Sequence, residues 1–133
     1  MPNNASGPFE VKITPQTLAE AAADSGLGRM SLAKQFHGEL VATSQGEMLT
    51  AMSSSVQGSG AYVAVERVTG TLGGRSGSFA LHHTGLMNRG VPQLTIAVVP
   101  DSGSGELAGI TGKLNIRIEA GGKHFYDFEY ELP

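Results

Sequence analysis

Cysteine and tryptophan are both absent from the 133 residues. Without Cys there can be no disulfide, no thiolate nucleophile and no Cys-based zinc or iron–sulfur site. Positive charge is also scarce. Nine Lys+Arg against 12 Asp+Glu leave a net charge of −3, and with no basic surplus to neutralise phosphates a nucleic-acid partner is not expected. Charged residues are 16% of the chain, below the roughly 25% of ordinary soluble domains. No apolar run approaches the ~20 residues of a membrane helix, so no membrane partner is expected. The opening Met1-Pro2-Asn3-Asn4 lacks the basic and apolar regions of a signal peptide, which points to a cytoplasmic location. Glycine is in excess at 19 of 133, about twice its usual ~7%.

The chain is long enough to bury one core without staples. Residues 1–7 are small and polar and read as a flexible tail ahead of a single domain over 8–133. Phe9, Val11 and Ile13 alternate with Glu10, Lys12 and Thr14, the period of a strand with one buried face. Residues 17–24 have the only helical composition, with Thr17 and Glu20 at capping-box spacing. Leu18 is their one large apolar anchor, so at most one short helix near 16–24 competes with an extended connection. Residues 29–37 read as a strand with Met30, Leu32, Lys34 and Phe36 on one face. Residues 39–53 suggest a hairpin turning near Gln45-Gly46.

Further along, the strand signal sharpens. Residues 62–72 and 75–86 flank Gly73-Gly74 and read as two arms of a hairpin. Residues 91–99, 113–119 and 124–132 follow as strands, with Asn88-Arg89-Gly90 and Gly121-Gly122 as turns. Turn signals at roughly ten-residue intervals predict an all-β, antiparallel meander. Seven to nine strands fit, eight best, and a closed barrel is favoured over a sandwich because closure removes exposed edges. Parity places Phe79, Leu81, Leu94, Ile96, Val98, Leu114, Ile116, Ile118, Phe128, Tyr130 and Leu132 on inward faces. Their medium size suits a barrel that is either filled or slightly hollow.

Few residues carry a chemical signal. Gly103-Ser104-Gly105-Glu106-Leu107-Ala108-Gly109 resembles a dinucleotide fingerprint, but no βαβ unit surrounds it, and a glycine-rich corner is the simpler reading. No Walker-type sequence and no Gly-x-Ser-x-Gly elbow occurs. His82 and His83 are adjacent on a strand and point to opposite faces, so they do not share a metal ion. Parity puts His83 inward, as a core or barrel-mouth histidine. No metal and no cofactor is expected. Glu66 lies among apolar neighbours on a face with Tyr62, Ala64 and Val68, whereas Val63, Val65 and Arg67 form the other face. Either Glu66 faces the interior, where desolvation makes it an acid–base candidate, or it forms a surface pair with Arg67 or Arg75.

The segment Glu66-Arg67-Val68-Thr69-Gly70-Thr71-Leu72-Gly73-Gly74-Arg75-Ser76-Gly77-Ser78-Phe79 and the segment Gly103-Ser104-Gly105-Glu106-Leu107-Ala108-Gly109-Ile110-Thr111-Gly112 occur in that order. Together they resemble an uncharacterised family of small bacterial proteins, from about Phe9 onward. The resemblance implies a barrel like that of allene oxide cyclase, an architecture shared with plant dirigent proteins, in which an apolar cavity steers a ring closure or coupling. No catalytic residue carries over, because the matching positions are mostly glycines and small polar residues suited to turns.

Three functions follow as expectations. The first is binding of a small apolar or aromatic metabolite inside the barrel, with Glu66, Tyr62 and His83 as candidate ligand contacts. The second is a cofactor-independent isomerase or cyclase using Glu66, with His83 or Tyr62 positioning the substrate. The third is a structural module forming a homo-oligomer.

Overall fold

The computed structural model describes residues 2–133. Eight strands close into an antiparallel barrel: β1 (Asn3–Gln16), β2 (Gly28–Phe36), β3 (Leu40–Met52), β4 (Gly60–Leu72), β5 (Arg75–Asn88), β6 (Val91–Val98), β8 (Thr111–Glu119) and β9 (Lys123–Glu131). A two-residue strand, β7 (Ser104–Gly105), adds to β5 outside the ring. The expected all-β meander is the observed fold. Gly73 and Gly74 take positive φ of 56° and 84° between β4 and β5, as a two-residue hairpin turn requires.

The limit of at most one short helix near 16–24 also holds: the segment forms a 3₁₀ turn, Glu20–Ala22, without a side-chain cap, because one leucine gives a longer helix too little to bury. Two expectations are corrected. The expected tail over 1–7 is not loose where the structure describes it: β1 begins at Asn3, and Asn3 to Gly7 pair with Tyr130 to Tyr126 of β9. Residues 39–53 are not a hairpin. Strand β3 runs straight through Gln45 and Gly46, and Gly46 sits opposite Glu66 of β4. A Cβ at Gly46 would lie 2.2 Å from the Val65 carbonyl and 2.7 Å from Cα and Cβ of Glu66. That glycine marks a close approach of two strands, not a turn.

The interior is divided along the barrel axis. One end is filled by Phe36, Leu40, Leu72, Phe79, Tyr126 and Phe128, all at most 2% exposed. Residues 99–110 fold across this end and insert Leu107 and Ile110, each 1% exposed, as a plug. Ser78 and Ser104 hydroxyls meet at 2.6 Å, the Glu106 amide donates to the Ser76 carbonyl, and the Ser76 amide donates to the Glu106 carboxylate at 3.1 Å. The two glycine-rich segments singled out in the sequence therefore meet one another, one as the β4–β5 hairpin and the other as the plug it holds. The remaining inward residues, toward Ile13, Tyr62 and Ile118, surround the open end.

One seam of the wall is weak. Strands β6 and β8 share a single ladder pair, Ala97 with Lys113, whereas β4 and β5 pair from Gly60–Met87 to Leu72–Arg75. Leu94 and Ile118 lie on the inward parity of these two strands yet are 41% and 66% exposed. Pro92 in β6 fits a strand whose outer edge needs no donor.

Leu107→Ala removes the plug's main anchor and leaves a cavity at the sealed end. It is expected to cost about 2–5 kcal/mol, read in urea unfolding as a lower midpoint at unchanged slope.

Candidate functional site

Small residues on β3 create the site. Lys34 on β2 and Glu66 on β4 face inward on either side of β3, whose intervening inward positions are Ser44 and Gly46. With so little side chain between them, the two charges meet over β3. Lys34 Nζ donates to Glu66 Oε2 at 2.8 Å, and Ser44 Oγ donates to Oε1 at 2.7 Å. From β5, Nε2 of His83 lies 2.5 Å from the same Oε2. Glu66 is 1% exposed, His83 4% and Lys34 8%. Every acceptor need of the carboxylate is met inside the protein.

The electrostatics follow from these contacts. Burial alone pushes the Glu66 carboxyl up. The hydrogen bond from His83, with the charge and hydrogen bond of Lys34, outweighs burial and holds it down at about 2. Glu66 is thus an ionised carboxylate at neutral pH. Because a carboxylate only accepts, His83 presents Nε2–H to it, and Nδ1 is the nitrogen turned away. The Tyr62 hydroxyl is 3.5 Å from Nδ1, the long limit of a hydrogen bond. Burial, and then the nearby Glu66 charge, raise the Tyr62 phenol, which is therefore neutral. Its ring packs against Gly85, where a Cβ would come within 2.2 Å of Cε1. Glycine at 85 sets the ring's place, and so where its hydroxyl points.

Lys34 has one hydrogen-bond acceptor among the described residues, Glu66. Its ammonium otherwise faces the rings of Phe9 and Phe36, at 5.4 and 6.0 Å from their centroids. Above this floor the barrel is hollow. A cavity of about 360 Å³ takes a side chain from each of the eight barrel strands. Val11, Ile13, Leu32 and Met48 line one side, and Leu94, Ile116, Ile118 and His124 the other. Lys34, Tyr62 and His83 reach it from below, while Glu66 stays sealed behind them with its side chain 0% exposed. A neighbouring space of about 290 Å³ at the rim shares Met48, Tyr62 and Leu94.

The chain matches a family described as protein of unknown function, DUF3224, over residues 5–130. It belongs to that family. It is also similar to a protein of unknown function from the DUF3224 family of Shewanella oneidensis MR-1, whose crystal structure superposes with a TM-score of 0.90 at 49% identity. That match covers 100% of this chain and 99% of the other. No curated protein matches.

All three residues singled out in the sequence, Glu66, Tyr62 and His83, come together in this DUF3224 barrel. Glu66 faces inward, and its partner is Lys34, not Arg67 or Arg75. His82 is exposed on the outer face, opposite His83. Sequence reasoning missed Lys34 and Ser44 as members of the cluster. The parity of β2 carried the signal for Lys34, which shares a face with Met30, Leu32 and Phe36. No group of three His, Cys, Asp or Glu among the described residues is placed to hold a metal ion, and no helix among them is long and apolar enough to cross a membrane. A larger concavity, about 770 Å³, lies behind this cluster on the outer side of β3 and β4, beside the 17–27 connection. Its charged lining residues, Arg29 and Glu47, are partly exposed and already paired with each other.

Because the Glu66 carboxyl is held at about 2 instead of 4.5, its stabilisation is fully present above pH 4.5 and is lost as pH falls toward 2. The expected loss is on the order of 3 kcal/mol, read from urea unfolding across that window. Glu66→Gln should flatten this part of the profile. It should also be less stable at pH 7, because it leaves the Lys34 ammonium buried without its counter-charge. Gly85→Ala should displace the Tyr62 ring, seen as altered aromatic proton shifts of Tyr62 and a new His83 ring environment.

Proposed function

We propose that the open half of the barrel binds a small, mainly apolar molecule, seated on Lys34, Tyr62 and His83. The observation that carries this reading is the cavity itself. Its volume falls in the range of small-molecule sites, its walls are aliphatic, and a few polar groups converge at one end. A barrel serving only as a core would be packed at both ends. Here the sealed end is filled and the other is not.

A second reading is favoured by the Glu66–His83 contact. A buried carboxylate that fixes one imidazole nitrogen and leaves the other toward a cavity is an arrangement suited to proton transfer. The isomerase or cyclase reading therefore moves its acid–base role from Glu66, which is too weak a base at about 2, to His83. The closed eight-strand meander is the architecture expected of an allene oxide cyclase-like barrel, a likeness of fold that establishes neither kinship nor a reaction.

Titration with 2-naphthol, followed through the methyl resonance of Met48, tests the binding reading. Saturable shifts of Met48 are expected, and Ile116→Trp, which fills the cavity from β8, should abolish them at unchanged fold. Shifts that persist in Ile116→Trp, or none in the parent protein, count against it.

A further inference from the structure

Resting on that binding reading, we propose that the cavity floor is a proton-transfer site for neutral carbonyl compounds, with Lys34 receiving the carbonyl oxygen and Nδ1 of His83 taking a proton from the adjacent carbon. Three features assign these roles. Glu66 cannot touch a ligand, since Lys34, His83 and Ser44 occupy its two oxygens and its side chain is 0% exposed. It is a positioning residue that fixes the imidazole and the ammonium on the same oxygen, Oε2. His83 uses Nε2 on that oxygen, so Nδ1 is the nitrogen available to the cavity. The 3.5 Å contact from Tyr62 to Nδ1 is long enough to yield at little cost to a substrate.

Lys34 supplies the third feature. Two of its three N–H bonds have no acceptor among the described residues, and it lines the cavity. A hydrocarbon bound there would leave these donors unpaired, whereas a ligand oxygen satisfies them.

Charge decides which oxygen. Lys34 and Glu66 already cancel, so a bound carboxylate would place a net negative charge against the buried floor of the cavity, where Lys34 and His83 are at most 8% exposed. A neutral carbonyl adds none. In the reaction the C–H bond breaks and its proton goes to Nδ1. The released pair becomes the C=C bond, and the carbonyl π pair moves to oxygen. The enolate beside Lys34 and the imidazolium beside Glu66 then form together and compensate each other, which is stabilisation present in the transition state and absent in the ground state. Protonated His83 returns the proton to the same carbon, to the oxygen as enol, or to a vinylogous carbon as a shifted double bond. No oxidant, reductant or cofactor enters the balance.

The test uses 2-tetralone and 2-indanone in D2O. Loss of their α-proton signals is followed by NMR beside the Met48 methyl as the reporter of occupancy. The expected result is exchange at least ~100-fold faster than with free imidazole at the protein's concentration, the lower range of general acid–base catalysis. His83→Gln keeps an amide hydrogen bond to Glu66 and should still bind ketone while losing that acceleration. Ile116→Trp leaves the floor intact and should lose both binding and exchange.

Ketone that occupies the cavity without faster exchange overturns the proposal, as does undiminished exchange in His83→Gln. Borohydride capture of ketone on Lys34 overturns it too, since the amine would then act as a nucleophile. If 2-naphthol moves Met48 and neither ketone does, the carbonyl inference fails and the binding reading stands. If none of the three moves it, both fail.

Discussion

Glu66 carries a negative charge into the middle of a closed β-barrel, where there is no bulk water to solvate it. Such a charge persists only when donors surround it, and three do: Lys34, His83 and Ser44. The rest of the open half is arranged to bring them within reach. Strand β3 keeps small side chains between β2 and β4 so that lysine and glutamate can touch. Strand β5 places His83 on the same oxygen. Phe9 and Phe36 give the far side of the ammonium an aromatic surface, a weaker partner than a second carboxylate but one that adds no charge.

The barrel is divided into a filled end, closed by aromatic and leucine side chains together with an inserted segment, and a hollow end that no segment closes. Phenylalanine, tyrosine and leucine converge at the sealed end, where the 99–110 segment adds Leu107 and Ile110. Toward the open end the inward positions are mostly aliphatic, with Val11, Ile13, Leu32, Met48, Leu94 and Ile116 among them, and they leave a cavity of about 360 Å³ between opposite walls. The polar cluster sits at the boundary between the two. It is therefore held from below by a rigid core and left accessible from above through only three side chains, an arrangement that favours fixed geometry over adaptability.

Alternation made much of this legible in advance. Strands such as β8, with Leu114, Ile116 and Ile118 against Asn115, Arg117 and Glu119, declare both their existence and their inner face. The same parity placed Glu66 with Tyr62, and His83 on the inner side of β5. It could not say whether Glu66 found a partner inside or out, because that depends on which strands are neighbours and on the missing side chain at Gly46. Gly46 also misled the reading of β3. In sequence, a glycine after glutamine looks like a turn, and only the opposing Glu66 backbone reveals it as a place where a strand must come close. The pairing of Asn3–Gly7 with β9 was hidden for a different reason: an edge of small polar residues gains its hydrogen bonds from a partner more than a hundred residues away. The glycine-rich segments were recognisable as motifs, but their service as hairpin and plug is a tertiary fact.

The single-pair seam between β6 and β8 makes this barrel closer to a split ring than to a rigid tube. A fully laddered barrel can widen only by breaking many hydrogen bonds at once, whereas here a single ladder pair, Ala97 with Lys113, joins β6 to β8. The weak seam opens on the aperture near Leu94 and Ile118, with Lys34 and Glu66 on the far strands β2 and β4, whereas His83 on β5 pairs directly with Ile96 of β6 and is the member of the cluster nearest the gap. Substitutions along the split would alter the width of the lumen's mouth while the long ladders of β2, β3 and β4 keep Lys34 and Glu66 in register, so that the mouth and the floor of the same small lumen answer to different strands.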